Sequence, residues 1–133
     1  MKTLYIVRGL PGSGKSSLAK KITETLYSAD DFFTNKKGEY NFNAKLLGKA
    51  HEWCWGKVRD AMFLGANAVA VANTFTQAWE AEKYYQIAEE YGYSVFVIEC
   101  QNDFGNVHDV PQESIDAMKK RWEKDLTPVV NLS

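Results

Sequence analysis

Residues 9–16, with the sequence Gly-Leu-Pro-Gly-Ser-Gly-Lys-Ser, decide the fold of this chain. They match the pattern G-x-x-x-x-G-K-[S/T] in full, and they follow a short apolar run at 4–7 that predicts a buried strand. Residues 16–26 have helical composition. A glycine-rich loop between a strand and a helix turns backbone N–H groups inward around a phosphate, and the helix dipole adds positive charge there. The stretch therefore predicts a nucleoside triphosphate site.

Each side chain of this loop has an expected part in that site. Lys15 is expected to reach the β- and γ-phosphates and to act in catalysis, and the Ser16 hydroxyl is expected to bind Mg²⁺. The full set of predicted nucleotide-binding residues is Gly9, Pro11, Gly12, Ser13, Gly14, Lys15, Ser16 and Ser17.

The loop alone leaves the reaction open, because GTPases, motors and kinases share it. The sequence contains no N-K-x-D for guanine and no D-x-x-G switch motif. The predicted third strand ends in Asn73, where a motor protein would carry an acid. A small phosphotransferase is the class that these features favour, and a plain ATPase is disfavoured.

Composition sets the broad class. The chain has 133 residues, 45% hydrophobic and 25% charged, with a formal net charge of −1. These values predict one globular domain over 1–133 and exclude a disordered chain, a disulfide scaffold and a globally basic nucleic-acid coat. Cys54 and Cys100 lack metal-ligand spacing. No apolar run suits a signal peptide or a membrane helix, so we expect a cytoplasmic protein without membrane contact, in the host cytoplasm if the chain is viral.

Apolar runs and helical patterns alternate along the chain. This order predicts a three-layer α/β/α P-loop fold with a small parallel sheet of four to five strands, each covered on both faces. A lid loop is expected at about 101–110, and the tail 125–133 is unassigned. Strands are predicted at 4–7, 26–29, 66–72 and 94–99, and helices at 16–26, from Asn43 to Gly65, at 76–91 and at 111–124.

Two adjacent carboxylates, Asp30 and Asp31, come about fifteen residues after Lys15, at the end of the predicted second strand. A kinase needs a base beside the acceptor hydroxyl, and the carboxyl edge of a parallel sheet is where ligands bind. Neighbouring side chains point apart, so we expect Asp30 to face the phosphate as catalytic base and Asp31 to cap the turn. The alternative is a purely structural Asp-Asp turn.

These residues resemble the polynucleotide 5′-hydroxyl kinase-like group of P-loop kinases, which includes phage-type enzymes. The resemblance covers about residues 3–123 and rests on the phosphate loop, the Asp30-Asp31-Phe32 stretch, Asn73-Thr74 and the helix after Val110-Pro111. It implies ATP as donor, Mg²⁺ as cofactor, and a hydroxyl acceptor such as a DNA or RNA 5′ end. It also implies that Asp30 is the general base.

The sequence departs from that family at three positions. Phe33 stands where phage enzymes have an arginine that grips the acceptor phosphate, and Asn73 stands where an acid is usual. The lid loop has no arginine, so His108 and Arg121 are the candidate substitutes there, with Arg8 and Arg59 as further possibilities. Asn73 and Thr74 are expected to orient the acceptor or the metal.

The residues just beyond Asp30 suit an anionic acceptor. Residues 1–66 hold 11 basic and 6 acidic side chains, a net charge of +5, and include the pair Lys36 and Lys37. Aromatics beside these lysines suit base stacking, with core packing as the alternative for Phe32 and Phe42.

Three functions follow from these features. The first is an ATP-dependent kinase of a hydroxyl, on a nucleic-acid 5′ end or a modified nucleotide. The second is a nucleotide-binding module or degenerate kinase with little turnover, which the missing lid arginine favours. The third is a small-molecule kinase acting on a sugar or antibiotic hydroxyl. The oligomeric state is left open by the sequence.

Overall fold

A computed structural model of the chain describes residues 1–101 and 110–126. Strands and helices alternate in these ranges. The strands are β1 (Thr3–Gly9), β2 (Leu26–Tyr27), β3 (Ala68–Asn73) and β4 (Ser94–Cys100), and the helices are α1 (Lys15–Ile22), α2 (Leu47–Phe63), α3 (Ala78–Tyr91) and α4 (Gln112–Lys120). Two 3-10 turns, Ala29–Phe33 and Ala44–Leu46, lie between β2 and α2. None of the described helices has the length and apolar character needed to cross a bilayer.

The four strands form one sheet in the order β2-β3-β1-β4, and every pairing is parallel. Val7 of the central strand β1 lies opposite Ala72 of β3 and Ile98 of β4. The predicted α/β fold with a small parallel sheet is thereby confirmed. Because all strands point the same way, their carboxyl ends share one edge, and the loops that leave that edge face one another.

Helices cover both faces of β1 and β3, as their unbroken apolar sequences predict. One face of these two strands packs against α2 and α3, and its buried residues are Leu4, Ile6, Val69 and Val71. The other face packs against α1, and its buried residues are Val7, Ala70 and Ala72. The alanines on this second face let α1, with its short buried Ala19, lie close to the sheet.

The expectation that all strands are covered on both faces is wrong for β4. Phe96 is 56% exposed and Val97 is 40% exposed. The reason is position, since β4 is the outermost strand beside β1 in the described sheet. The Phe96 ring lies 6.2 Å from the ring of Tyr5 and otherwise faces outward.

Two helices end earlier in the structure than the sequence predicts, because the residues that follow them form tertiary hydrogen bonds. The first ends at Ile22, because the hydroxyl of Thr23 donates to the Ala68 carbonyl at 3.0 Å and turns the chain into β2. The last ends at Lys120, because the next residues bind elsewhere: the backbone N–H of Glu123 donates to the Thr76 carbonyl at 2.6 Å.

A buried cation sits at the carboxyl end of β1. The Arg8 side chain is 1% exposed, and its guanidinium donates to the Phe75 carbonyl at 2.6 and 3.0 Å. It forms an ion pair with Glu99 of β4 at 3.5 Å and lies 3.9 Å from the ring of Trp122. Burial lowers the pKa of this guanidinium, and neighbouring carboxylates led by Glu99 oppose the shift. Arg8 thus joins the ends of β1, β3 and β4 to the segment after α4.

We expect Arg8→Met to reduce the free energy of unfolding by about 3 kcal/mol, because it leaves the buried Phe75 carbonyl without its donor and removes the ion pair with Glu99. Urea denaturation of the two proteins measures this difference. Lys120→Met is the control, since Lys120 is exposed and its loss should change stability by about 0.5 kcal/mol or less. A similar stability for Arg8→Met and wild type would mean that Arg8 does not hold this edge together.

Candidate active site

The phosphate loop joins β1 to α1 through two left-handed glycines. Gly12 has φ 83° and Gly14 has φ 85°, a region that favours glycine because it has no Cβ. Between them, the Ser13 backbone N–H donates to the Leu10 carbonyl at 3.0 Å. This turn delivers the chain directly into α1 at Lys15.

The Ser13 hydroxyl is buried without a partner. The residue is 4% exposed, and its oxygen makes no hydrogen bond. It packs over Gly9, where an added Cβ would collide with the Ser13 side chain and lie 3.1 Å from the Cys100 carbonyl. Buried polar groups are nearly always paired, so an unpaired hydroxyl in this loop fits a ligand oxygen.

The amino end of α1 is also prepared for an anion. No side chain caps it, and its first turn contains no acidic residue. Its backbone N–H groups and helix dipole therefore favour a bound phosphate. Ser16 and Ser17 are exposed in this turn, where the Ser16 hydroxyl would hold Mg²⁺ against the phosphates. Within 1–101 and 110–126, no group of three His, Cys, Asp or Glu residues forms a separate metal site.

Asp30 lies within electrostatic range of Lys15. Burial lowers the pKa of the Lys15 ammonium, and the negative charge of Asp30 opposes that shift. The two side chains do not pair directly, because the described ion pair joins Arg8 and Glu99. A bound phosphate would supply the negative charge that a half-buried lysine lacks.

The two predicted carboxylates have different surroundings. Asp31 caps its own 3-10 turn, where its Oδ2 accepts from the Ser28 backbone N–H at 3.1 Å. Asp30 is half-buried, and its Oδ1 accepts from the Tyr40 hydroxyl at 3.2 Å. Burial and the Asp30 charge raise the pKa of Tyr40 to about 12, so the phenol keeps its proton and acts as the donor.

Asn73, at the end of β3, fastens the Asp30 turn. Its Oδ1 accepts from the Ala29 backbone N–H at 2.8 Å and from the Ser28 hydroxyl at 3.3 Å. Its Nδ2 faces the Cys54 sulfur at 4.0 Å, where burial raises the pKa of the thiol to about 11. The amide oxygen is therefore occupied by the protein, and Thr74 is the half-buried residue that follows it.

The predicted lid substitutes are only partly described. His108 lies outside the described residues. Arg121 follows α4, and its Nε donates to the Thr76 hydroxyl at 3.0 Å. That hydroxyl donates in turn to Glu80 at 2.6 Å. Arg121 is thus held near the loop after β3.

Lys36 and Lys37 lie on an exposed turn beyond Asp30. The backbone N–H of Lys37 donates to the Asn35 side chain at 2.9 Å, and Gly38 has φ 82°. Both lysine side chains are exposed.

Two features of the site were missed from the sequence. One is the hydrogen bond of Tyr40 to Asp30, because nothing in the loop composition distinguishes a donor from a packing ring. The other is Phe75, a buried non-glycine residue with φ 48°, which the Arg8 guanidinium holds through its carbonyl. Non-glycine residues in this region carry strain and cluster at functional sites. No local sequence signal marks either feature.

A cavity of about 310 Å³ opens beside the phosphate loop, at the carboxyl end of β4. In the sheet order, this is the side of β1 opposite to Asp30. The cavity is lined by Leu10, Glu99, Cys100, Gln101, Lys119 and Trp122. The phosphate loop therefore has the carboxylate on one flank and this cavity on the other.

The AAA domain model of the AAA_33 family matches residues 4–106. This chain belongs to that family. The matched range contains the phosphate loop, the Asp30 turn and, apart from Thr3, all four described strands.

Human NEDD4-binding protein 2 is 31% identical over 144 aligned positions, which cover 98% of this chain and 8% of that protein. The chain therefore spans a small part of this relative's length. Among solved structures, the Pnkp1/Rnl/Hen1 RNA repair complex aligns with a TM-score of 0.59 and 19% identity, over 96% of this chain and 40% of that one. The APS kinase CysC of Mycobacterium tuberculosis aligns with a TM-score of 0.52 and 17% identity, over 90% and 92%. The fold is that of a P-loop kinase-like domain.

We expect Gly9→Ala to weaken nucleotide binding by about tenfold or more, because the added methyl group overpacks the loop against Ser13 and the Cys100 carbonyl. Titration with a fluorescent ATP analogue measures the affinity. Gly56→Ala is the matched control, since its Cβ meets nothing within 4 Å and should stabilise α2 by about 0.5–1 kcal/mol. Equal nucleotide affinity for wild type and Gly9→Ala would mean that the loop does not close around a phosphate.

Proposed function

We propose that this chain is an ATP-dependent phosphotransferase of the polynucleotide kinase-like type, which transfers the γ-phosphate to a nucleic-acid 5′-hydroxyl. The observation that carries the proposal is an anion-ready phosphate loop whose Lys15 lies within electrostatic range of the Asp30 carboxylate. The family and the kinase-like fold support it. The RNA repair complex among the structural neighbours supports a nucleic-acid acceptor.

In this proposal the donor lies across the phosphate loop. The loop N–H groups, the Ser13 hydroxyl and Lys15 bind the phosphates, and the cavity beside Leu10 and Trp122 receives the nucleoside. Mg²⁺, held by Ser16 and the phosphates, would neutralise their charge. The γ-phosphorus then faces the side of the sheet that carries Asp30.

The acceptor hydroxyl approaches from the Asp30 side. Its oxygen forms a bond to the γ-phosphorus, the bond from that phosphorus to the β–γ bridging oxygen breaks, and ADP leaves. The proton of the hydroxyl passes to the Asp30 carboxylate. The Oδ1 oxygen of Asp30 accepts a hydrogen bond from the Tyr40 hydroxyl. Among the described contacts the other carboxylate oxygen has no partner, so it is available for the proton.

A second function has a specific observation in its favour. The Asn73 amide oxygen is occupied by the Asp30 turn, and Arg121 is bound to Thr76. Because each residue is hydrogen-bonded to other protein groups, it is held away from a bound phosphate. This favours a nucleotide-binding module with little turnover. ATP binding without transfer to oligonucleotides, nucleosides or small alcohols would decide for it.

We expect Asp30→Asn to lower γ-phosphate transfer by about 100-fold or more, because the amide cannot accept the proton, while ATP affinity stays within about twofold. Transfer of labelled phosphate to a 5′-hydroxyl oligonucleotide and ATP titration provide the two measurements. Asp60→Asn, at an exposed position of α2, is the control and should keep full activity. Full activity of Asp30→Asn would reject Asp30 as the base.

We expect Tyr40→Phe to lower kcat by about tenfold with an unchanged KM for ATP, because the loss of one hydrogen bond frees the Asp30 carboxylate to rotate. Steady-state kinetics with varied ATP separates the two constants. Tyr91→Phe, at the end of α3, should behave as wild type. A matching rise in the KM for ATP would instead place Tyr40 in donor binding.

A further inference from the structure

The chain beyond Asp30 folds back on itself to form a hairpin, residues 34–42. Thr34 and Tyr40 form an antiparallel bridge. The backbone N–H of Asn35 donates to the Glu39 carbonyl at 3.0 Å, and that of Asn41 donates to the Phe33 carbonyl at 2.9 Å. The hairpin is therefore an ordered extension of the turn that carries the proposed base.

The hairpin carries an exposed aromatic ring as well as the tyrosine that contacts the proposed base. Phe42 is 54% exposed, and its ring centroid lies 5.1 Å from that of Phe33 in an edge-on arrangement. Tyr40 also contacts Phe33, at 6.3 Å, and its hydroxyl reaches Asp30. Residues two apart on extended chain share a face, so Tyr40 and Phe42 point to the same side. The exposed ring of Phe42 is thus linked to Asp30 through Phe33 and Tyr40.

The positive charge of this region matches an anionic ligand. Residues 34–49 contain four lysines and one acidic residue, Glu39, a net charge of +3. All four lysines have exposed side chains, and they are Lys36, Lys37, Lys45 and Lys49. By contrast, the buried Phe33 is packed with Ala29 and Ala50 and offers no cation beside the base. These exposed cations on and after the hairpin are available to an acceptor phosphate, in addition to Lys20, which acts electrostatically on Asp31.

We propose that the hairpin binds a single-stranded nucleic acid, with an unpaired base stacked on Phe42 and the following phosphates along Lys36 and Lys37. The inference rests on the proposed function, which it deepens by naming the acceptor as a single strand. Stacking on one ring tolerates any base, and lysines contact the backbone without reading sequence, so recognition is sequence-independent. A base in a duplex interior cannot reach the ring.

Binding of a 3′-fluorescein-labelled single-stranded oligonucleotide, measured by anisotropy, tests the surface without turnover. Phe42→Ala should weaken binding by about tenfold, within the range of base–aromatic stacking, and Phe42→Trp should restore it to within about twofold. Phe63→Ala is the matched control, because Phe63 is 75% exposed at the far end of α2 and should not affect binding. In kinetics, Phe42→Ala should raise the KM for the oligonucleotide and leave the KM for ATP unchanged.

Salt dependence tests the lysines. The double variant Lys36→Ala/Lys37→Ala should reduce the slope of log affinity against log salt by about 1.4, since each single-strand phosphate contact contributes about 0.7. A blunt duplex of the same length should bind more weakly than the single strand to the wild type, and Phe42→Ala should remove that preference.

The outcomes separate this proposal from the proposed function. Phe42-dependent binding without phosphate transfer would uphold the surface and overturn the kinase activity. Transfer to oligonucleotides that Phe42→Ala leaves unchanged, in both KM and affinity, would uphold the kinase and overturn the surface. Equal losses in Phe42→Ala and Phe63→Ala would also overturn it.

Discussion

The edge of the sheet that carries the site depends on one buried cation. Arg8 ends β1 immediately before the phosphate loop, and its guanidinium contacts Phe75 after β3, Glu99 on β4 and Trp122 after α4. A guanidinium stays charged even when it is buried. If its hydrogen-bond and ion-pair partners moved away, an uncompensated charge would remain in the interior, so these partners must stay in place. The strained backbone at Phe75 is compatible with this requirement, because its carbonyl accepts two hydrogen bonds from Arg8. The phosphate loop is thereby anchored on a rigid base.

The Asp30 flank is held by hydrogen bonds from several different residues. Asn73 binds the backbone of the 3-10 turn, Asp31 caps it from within, and Tyr40 binds the Asp30 carboxylate from the hairpin. An asparagine suits the Asn73 position because its oxygen accepts from Ala29 while its nitrogen faces the Cys54 sulfur. An ionised carboxylate there would add a further negative charge to the turn that already carries Asp30 and Asp31. An asparagine at this position, where the resemblance to polynucleotide kinases led us to expect an acid, therefore fits the packing of this chain.

A second departure, Phe33, is linked to the hairpin. Phe33 is buried and contacts the rings of Phe32, Tyr40 and Phe42. A residue so enclosed cannot extend to an acceptor phosphate. The same burial packs Phe33 against the hairpin that carries Phe42, Lys36 and Lys37. The burial of Phe33 thus has two results. The turn lacks the arginine expected at this position, and the hairpin outside the turn carries lysines and an exposed aromatic ring.

Much of the fold and part of the candidate site could be predicted from the sequence. The phosphate loop is contiguous, so its pattern and the flanking apolar and helical periods defined β1, α1 and the parallel sheet. Helix ends such as Ile22 and Lys120 could not be predicted from the sequence. The next residues, Thr23 and Glu123, form hydrogen bonds with residues 45 and 47 positions away in the chain. The partial exposure of β4 likewise depends on strand order, which composition does not encode.

The sequence by itself determined an α/β domain, and it predicted a phosphate site with a pair of carboxylates beside it, because these features lie within short stretches of chain. The tertiary structure alone decided that Asp31 caps the turn while Asp30 meets Tyr40, that Asn73 serves the backbone, and that Arg8 is internal. Such roles arise from contacts between distant residues, and a side chain's hydrogen-bond partner is fixed only when the strands and loops that carry both groups have packed.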